Sequence, residues 1–440
     1  MRGVVDRHVL ENSGIIPLTA DKMGIDASPS CADRRKRATF ALYLLFVAAY
    51  SIRTGFFQAQ GENSWVIGDW LINYSGGFVR RGLPGAVVMW LHHVSGVPLE
   101  WIVFTIQTSV FLLFLACVYR LTNGMRWSYL MSAVLLSPAA LGFTVLDAGG
   151  FRKEFLLFAA LGLTIWMLIA ERWKDWHMSA VLSILLVGLA LSHEGMLVAG
   201  PYFFAAVLIQ TKNLRRAARM CAVPLALTGM VLVVVVLHHG NLRETQAICR
   251  SVGGQMAEPG VVLGNGGICT GAIAAMQLTR AEERADVVLW VRDGHLVRLY
   301  SLLVIPTFAP LLLLMAGFYR RDGLRYEVAA VLACTLVSLP GFAALFYVGS
   351  DWGRWLYMLV ICLLLLAMMI DRKATAGRPA RNGTEERQSV CSPTLATLVL
   401  LLYATVWRLP STGLGGETPG YIALAWQAYH HLLHRIHPMG

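Results

Sequence analysis

The stretch GDWLINYSGGFVRRGLPGAVVMWLHHVS, from Gly68 to Ser95, decides how this chain is threaded. Its second half, 83–95, is apolar but interrupted by Pro84, Gly85 and the pair His92-His93. As a helix it would rise only about 20 Å, short of the roughly 30 Å hydrocarbon core of a bilayer. It therefore reads as an interfacial or re-entrant helix, not a crossing. If it did cross, every later loop would change sides.

The surroundings give that choice its weight. Of 440 residues, 56% are hydrophobic and only 14% charged. A soluble multidomain enzyme needs about a quarter of its residues charged, so the composition points to an all-α polytopic membrane protein. Apolar runs at 39–57, 101–120, 128–146, 155–170, 178–192, 195–210, 221–238, 297–318, 327–347, 355–370 and 393–408 give about eleven transmembrane helices. With 83–95 on the surface, the clusters RRKR (34–37), ERWKDWH (171–177), TKNLRRAARM (211–220), YRRDGLR (319–325) and DRKATAGRPARNGTEERQ (371–388) share one side. Positive charge favours the cytoplasmic side. This places the tail 1–38 in the cytoplasm, the membrane domain at 39–408 and the tail 409–440 in the periplasm of a bacterial inner membrane. The net charge of +11 follows from this bias and calls for no nucleic acid. Translation could start at Met1 or Met23, since nothing before Arg34 resembles a secretory signal.

The outward side is where the unusual polar residues gather, in the first outward loop and surface helix (58–100), in the long loop 239–296, and at shorter connections. Of eight cysteines, only Cys249 and Cys269 fall in an outward loop, the expected arrangement for a disulfide. Arg80 and Arg81 suit three roles: headgroup anchoring, internal ion pairing, or bidentate recognition of phosphate oxygens. Asp69 shares their loop and is a candidate base or a ligand for a divalent cation as cofactor. FRKE brings Arg152, Lys153 and Glu154 to the mouth of a span, as a local ion pair or as a cationic floor. SHEG puts His193 and Glu194 in a tight turn at the boundary, where ionisable groups are costly and tend to be functional. Either a structural clamp or a proton-carrying pair would fit, whereas a second histidine for a zinc-protease motif is absent. In GSDWGRW, Asp351 and Arg354 are one helical turn apart, with Trp352 as part of an aromatic belt or a saccharide platform. The tail YHHLLHRIHPMG has four histidines near helical spacing, which suit a metal site, but reads first as an amphipathic surface helix with exposed histidines. No Walker P-loop, no dinucleotide-binding glycine motif and no Cys-x-x-Cys is present.

A first span, an outward loop with an acidic residue, a surface helix and further outward loops together resemble the GT-C class of membrane glycosyltransferases. The resemblance implies a polyprenyl-phosphate-linked sugar donor and gives Asp69 the place of the catalytic aspartate. The layout is also similar to bacterial O-antigen and exopolysaccharide polymerases, whose outward arginine loops engage undecaprenyl-pyrophosphate saccharides. Arg243 and Gly254 reproduce an arginine–glycine spacing of such loops. The expectation is therefore glycosyl transfer or polymerisation at the extracytoplasmic face. Its substrate side would be Arg80, Arg81, Arg152, Lys153, Arg243, Asp351, Trp352 and Arg354, and its catalytic side Asp69, His193 and Glu194. Membrane lipid and polysaccharide assembly proteins would be the partners. The alternatives are a transporter of lipid-linked oligosaccharide and a non-catalytic membrane component.

Overall fold

The computed structural model describes residues 31–125, 127–254, 267–320, 324–376, 392–412, 420–422, 424–426 and 429. Among these residues every regular element is helical. In chain order they are α1 (Cys31–Gln60), α2 (Val66–Leu71), α3 (Gly82–Ser95), α4 (Leu99–Leu121), α5 (Tyr129–Leu135), α6 (Phe143–Leu146), α7 (Glu154–Ile169) and α8 (Asp175–Ser192). Then come α9 (Gly200–Thr211), α10 (Leu214–Leu237), α11 (Leu242–Ser251), α12 (Arg280–Arg292), α13 (His295–Arg320), α14 (Arg325–Val348), α15 (Trp352–Ala376) and α16 (Pro393–Val406).

Among the described residues eight helices are long and apolar enough to cross a membrane: α1, α4, α8, the run Glu194–Thr211 that ends in α9, α10, α13, α14 and α15. Two shorter apolar helices, α7 and α16, fall where spans are expected. The chain is a multi-pass membrane protein. The eleventh expected span, 128–146, is not one helix. It breaks after α5 at Ser137-Pro138 and resumes as the single turn α6. Proline lacks the amide donor and its ring crowds the preceding turn, so an apolar run that looks continuous is divided. The irregular backbone there lies inside protein, because Ser137 through Val145 are all buried, and turn hydrogen bonds such as Ala140 N–H to Ser137 O (2.9 Å) pair much of it. Tyr403 of α16 donates to Ser137 Oγ at 3.0 Å, and its hydroxyl also lies 2.9 Å from Pro306 O.

The segment 83–95 lies within a single fourteen-residue helix, α3 (Gly82–Ser95). Its inner face buries Gly82, Pro84, Gly85 and Val88, while Trp90 is 63% exposed. That is the profile of a helix lying along a membrane surface.

The bundle is organised around α15. The apolar stretch of this helix is 94% buried, against 28% for that of α10. Helices α7, α9, α13 and α14 surround it. Cross-chain contacts sort the helix ends into two groups. At one end Arg372 donates to Arg120 O (3.1 Å), Lys373 to Ile209 O (2.8 Å), and Lys212 pairs with Glu327 (2.9 Å). At the other end Arg80 N–H reaches His238 O (2.8 Å), and Tyr300 donates to Pro410 O (3.0 Å). The first end carries the described residues of the basic clusters, and the second carries Asp69, Lys153, His193 and Asp351.

The expected tail helix lies outside the described residues except for Tyr429, as do 1–30 and most of 371–391 beyond Ala376. The helix of the long loop next to α13 is α12, which a Thr279–Glu282 capping box starts. The run 255–266 of that loop is also outside the described residues.

Candidate functional site

The elbow before α3 is built by close backbone approach. Asn63 Oδ1 accepts from Val66 N (2.9 Å) and so starts α2, which carries Asp69 inward. Asn73 ends it: its side chain accepts from Ser75 N (2.9 Å) and donates to Ser251 Oγ (3.0 Å), tying the elbow to α11. Gly76 passes so near α11 that a Cβ would stand 2.7 Å from Glu244 Cα. Arg81, just before α3, has φ of 64°, a left-handed backbone that costs a non-glycine residue about 1 kcal/mol or more. What holds it there is its side chain. The Arg81 fork grips Glu194, with Nη2 to Oε1 at 2.6 Å and Nε to Oε2 at 3.0 Å.

Around this fork the charged residues of distant motifs meet. Arg80 lies 3.5 Å from Glu194 Oε1 and 3.0 Å from Glu283 of α12. Lys153, whose side chain is 0% exposed, stands 3.5 Å from Asp69 Oδ1. It donates to Ser192 O at 3.3 Å and lies 5.9 Å from the centre of the Trp70 ring. Arg354 of α15 pairs with Glu154, the first residue of α7, and with Asp351. Arg152 sits 4.0 Å from Asp351. Five cations and five carboxylates thus interleave at one end of the bundle. Burying such charges is tolerable only when each has a partner. Glu154 and Asp351 gain further from standing at the N-termini of α7 and α15, where the helix dipole favours negative charge.

Burial works against the Asp69 carboxylate, but Lys153 and the neighbouring cations outweigh it and hold it below the usual carboxylate range. Burial pushes Lys153 down, with Asp69 pulling the other way. Asp351 is held low against its own burial by Arg354 and Arg152. His193 is pushed down to about 4 by burial and by Arg81, so its ring is neutral at physiological pH. Its Nδ1 accepts from Gly195 N–H at 3.1 Å, which leaves the proton on Nε2. The ring lies 6.3 Å from that of Trp355.

Several sequence expectations change in detail. His193 and Glu194 do not serve each other. The backbone at His193 is extended (φ −167°), so adjacent side chains point opposite ways, and Glu194 belongs to Arg81 and Arg80. The FRKE residues pair across the fold and not among themselves. Trp352 is no open platform: its Nε1–H donates to Phe346 O (3.0 Å) and its ring packs on Tyr300 and Phe346. Arg243 is exposed on α11 and takes no part in the cluster. Gly254 is explained by the Cys249–Cys269 disulfide, because a Cβ there would collide with the Cys269 sulfur. The disulfide joins α11 to the segment packed on α2. Glu283 is the member the sequence concealed, since nothing local to α12 marks it as a partner of Arg80. No group of three histidine, cysteine, aspartate or glutamate side chains is placed to hold a metal ion among the described residues.

Residues 39–299, more than half of the chain, match the family described as uncharacterised membrane protein Rv1490, and the chain belongs to that family. No curated protein and no solved structure matches it.

Proposed function

We propose that this member of the Rv1490 membrane-protein family transfers a saccharide from a polyprenyl-(pyro)phosphate donor at the end of the bundle that carries Asp69. The observation that carries the reading is the Asp69–Lys153 pair. A buried, ionised carboxylate lies at the membrane-boundary end of the helices, its Oδ1 contacting Lys153 without hydrogen-bond geometry and so retaining acceptor capacity. In the same charged cluster Arg80, Arg152 and Arg354 each keep a buried Nε–H without a hydrogen-bond partner. In the reaction the acceptor hydroxyl oxygen bonds to the anomeric carbon and the bond from that carbon to the phosphate oxygen breaks. The leaving phosphate keeps the electron pair, and the acceptor proton passes to Asp69. Arg80, Arg81 and Arg152 would neutralise the charge that develops on the phosphate. The substrate phosphate would take over Arg81 from Glu194, a carboxylate that occupies the fork in its absence.

The Arg81–Glu194 clasp also suits a second reading, a gate in a transporter of lipid-linked oligosaccharide, because it locks α3 to the turn after α8. One experiment separates the two. In a strain lacking the gene, wild type, Arg81→Ala and Asp69→Asn are restored at matched membrane levels. Lipid-linked and polymeric saccharides are then measured, and the sidedness of any accumulated lipid-linked unit is determined with a membrane-impermeant reagent. Loss of product with an outward-facing accumulated unit supports transfer. A unit trapped inside supports transport, and unchanged saccharides in every strain would refute both.

A further inference from the structure

At the opposite, basic end of the bundle, a cleft of about 610 Å³ opens between the end of α7 and the start of α8. Its lining is Trp166, Ala170, Arg172, Trp173 and His177. We propose that this cleft is a binding site for an acidic phospholipid, distinct from the charged cluster around Asp69.

Its walls are apolar and aromatic while its mouth is cationic, the two halves of an anionic amphiphile. Trp166 and Trp173 present large exposed faces. Trp176 stacks on His177 with ring centres 3.6 Å apart, and Trp173 meets that ring edge-on at 6.0 Å. His177 is thereby fixed in orientation, and its Nδ1 is buried with no hydrogen-bond partner.

Of the two nearby carboxylates, Asp175 is neutralised by Arg216 through contacts of 2.7 and 2.9 Å, while Glu171, which accepts from Gln210 at 2.7 Å, keeps its charge and is outnumbered by Arg172 and Lys174. Arg172 and Lys174 are both exposed and neither enters an ion pair with a described residue. The volume lies within the range of ligand sites, roughly 300–1,000 Å³. It is larger than a free phosphate needs, and its tryptophan walls give a bare ion no reason to stay, so the occupant is a lipid carrying its phosphate at the membrane boundary.

The test is native mass spectrometry of the full chain released from nanodiscs containing equal phosphatidylglycerol and phosphatidylcholine. Wild type should retain phosphatidylglycerol in preference. Arg172→Ala should cut that retention about five-fold, as for loss of one cationic contact near a membrane surface, and Trp173→Ala should lower retention of both lipids. Arg215→Ala, an exposed basic change outside the cleft, should leave the preference intact, and thermal unfolding of each variant checks its folding. Added inorganic phosphate should not displace the lipid; displacement would show an anion site without lipid selectivity and overturn the proposal. So would equal retention of the two lipids, or an Arg172→Ala protein indistinguishable from wild type.

Discussion

Glu154 and Arg354 stand 200 residues apart in sequence and meet in a buried ion pair between the N-termini of α7 and α15. Their side chains are 4% and 5% exposed, so neither has water to fall back on. Removing one partner of such a pair leaves an uncompensated charge, which costs about 3–5 kcal/mol, whereas replacing both with apolar groups is often near neutral. Arg354→Met alone should therefore lower the thermal midpoint in detergent sharply. The double variant Glu154→Leu/Arg354→Met should recover most of the loss, with Asp351 still near Arg152.

Activity should sort the arginines by position. Asp69→Asn keeps the side chain's size but removes the base, and the yield of transferred saccharide should fall about 10²-fold or more. Arg81→Ala should give a comparable defect. Arg243→Ala, exposed on α11, should give wild-type saccharide profiles, and a defect there would move the site toward the long loop.

The pH dependence of stability has a definite sign. His193 has a folded-state pKa of about 4, below the roughly 6.5 of an unfolded chain. Between those values the unfolded state binds more protons, so stability is complete above about 6.5 and is lost as pH falls toward 4. The thermal midpoint should therefore drop from pH 7.5 to pH 5, and His193→Gln should show a visibly smaller drop.

Cys249→Ser should cost about 3 kcal/mol on the loop-entropy account of a crosslink across 20 residues. The same loss should appear in wild type on reduction, followed as a lower thermal midpoint together with two newly alkylated thiols. Cys117, Cys221, Cys334 and Cys362 are buried and should stay unlabelled until the bundle unfolds.

The legible and illegible parts of this molecule divide along a physical line. Helix existence follows from apolar length, and α3 could be told from a span because 83–95 is too short and carries Pro84 and Gly85. The gathering of Asp69, Lys153, His193 and Arg354 at one end followed from the alternation of basic loops. The partners within that gathering did not. Glu154 could have paired with Arg152 two residues away, and only the approach of α15 to α7 gives it to Arg354. Arg243 was drawn in by a spacing that α11 turns outward, and Glu283 lies on a helix whose own pattern says nothing of Arg80. The break in 128–146 did leave a trace, at Pro138, but the apolar residues on either side masked it.

Helix α15, sheathed by protein along its apolar length, behaves as a tie-rod. Arg354 anchors its one end to Glu154 and Asp351, while Arg372 and Lys373 anchor the other to the carbonyls of Arg120 and Ile209. A slip of a single residue, about 1.5 Å along the axis, would unseat both anchorages at once. The rod is thus pinned at both ends, and if the proposed transfer takes place beside Asp69, the elements left to make room are those at the rim, α3, α11 and α12.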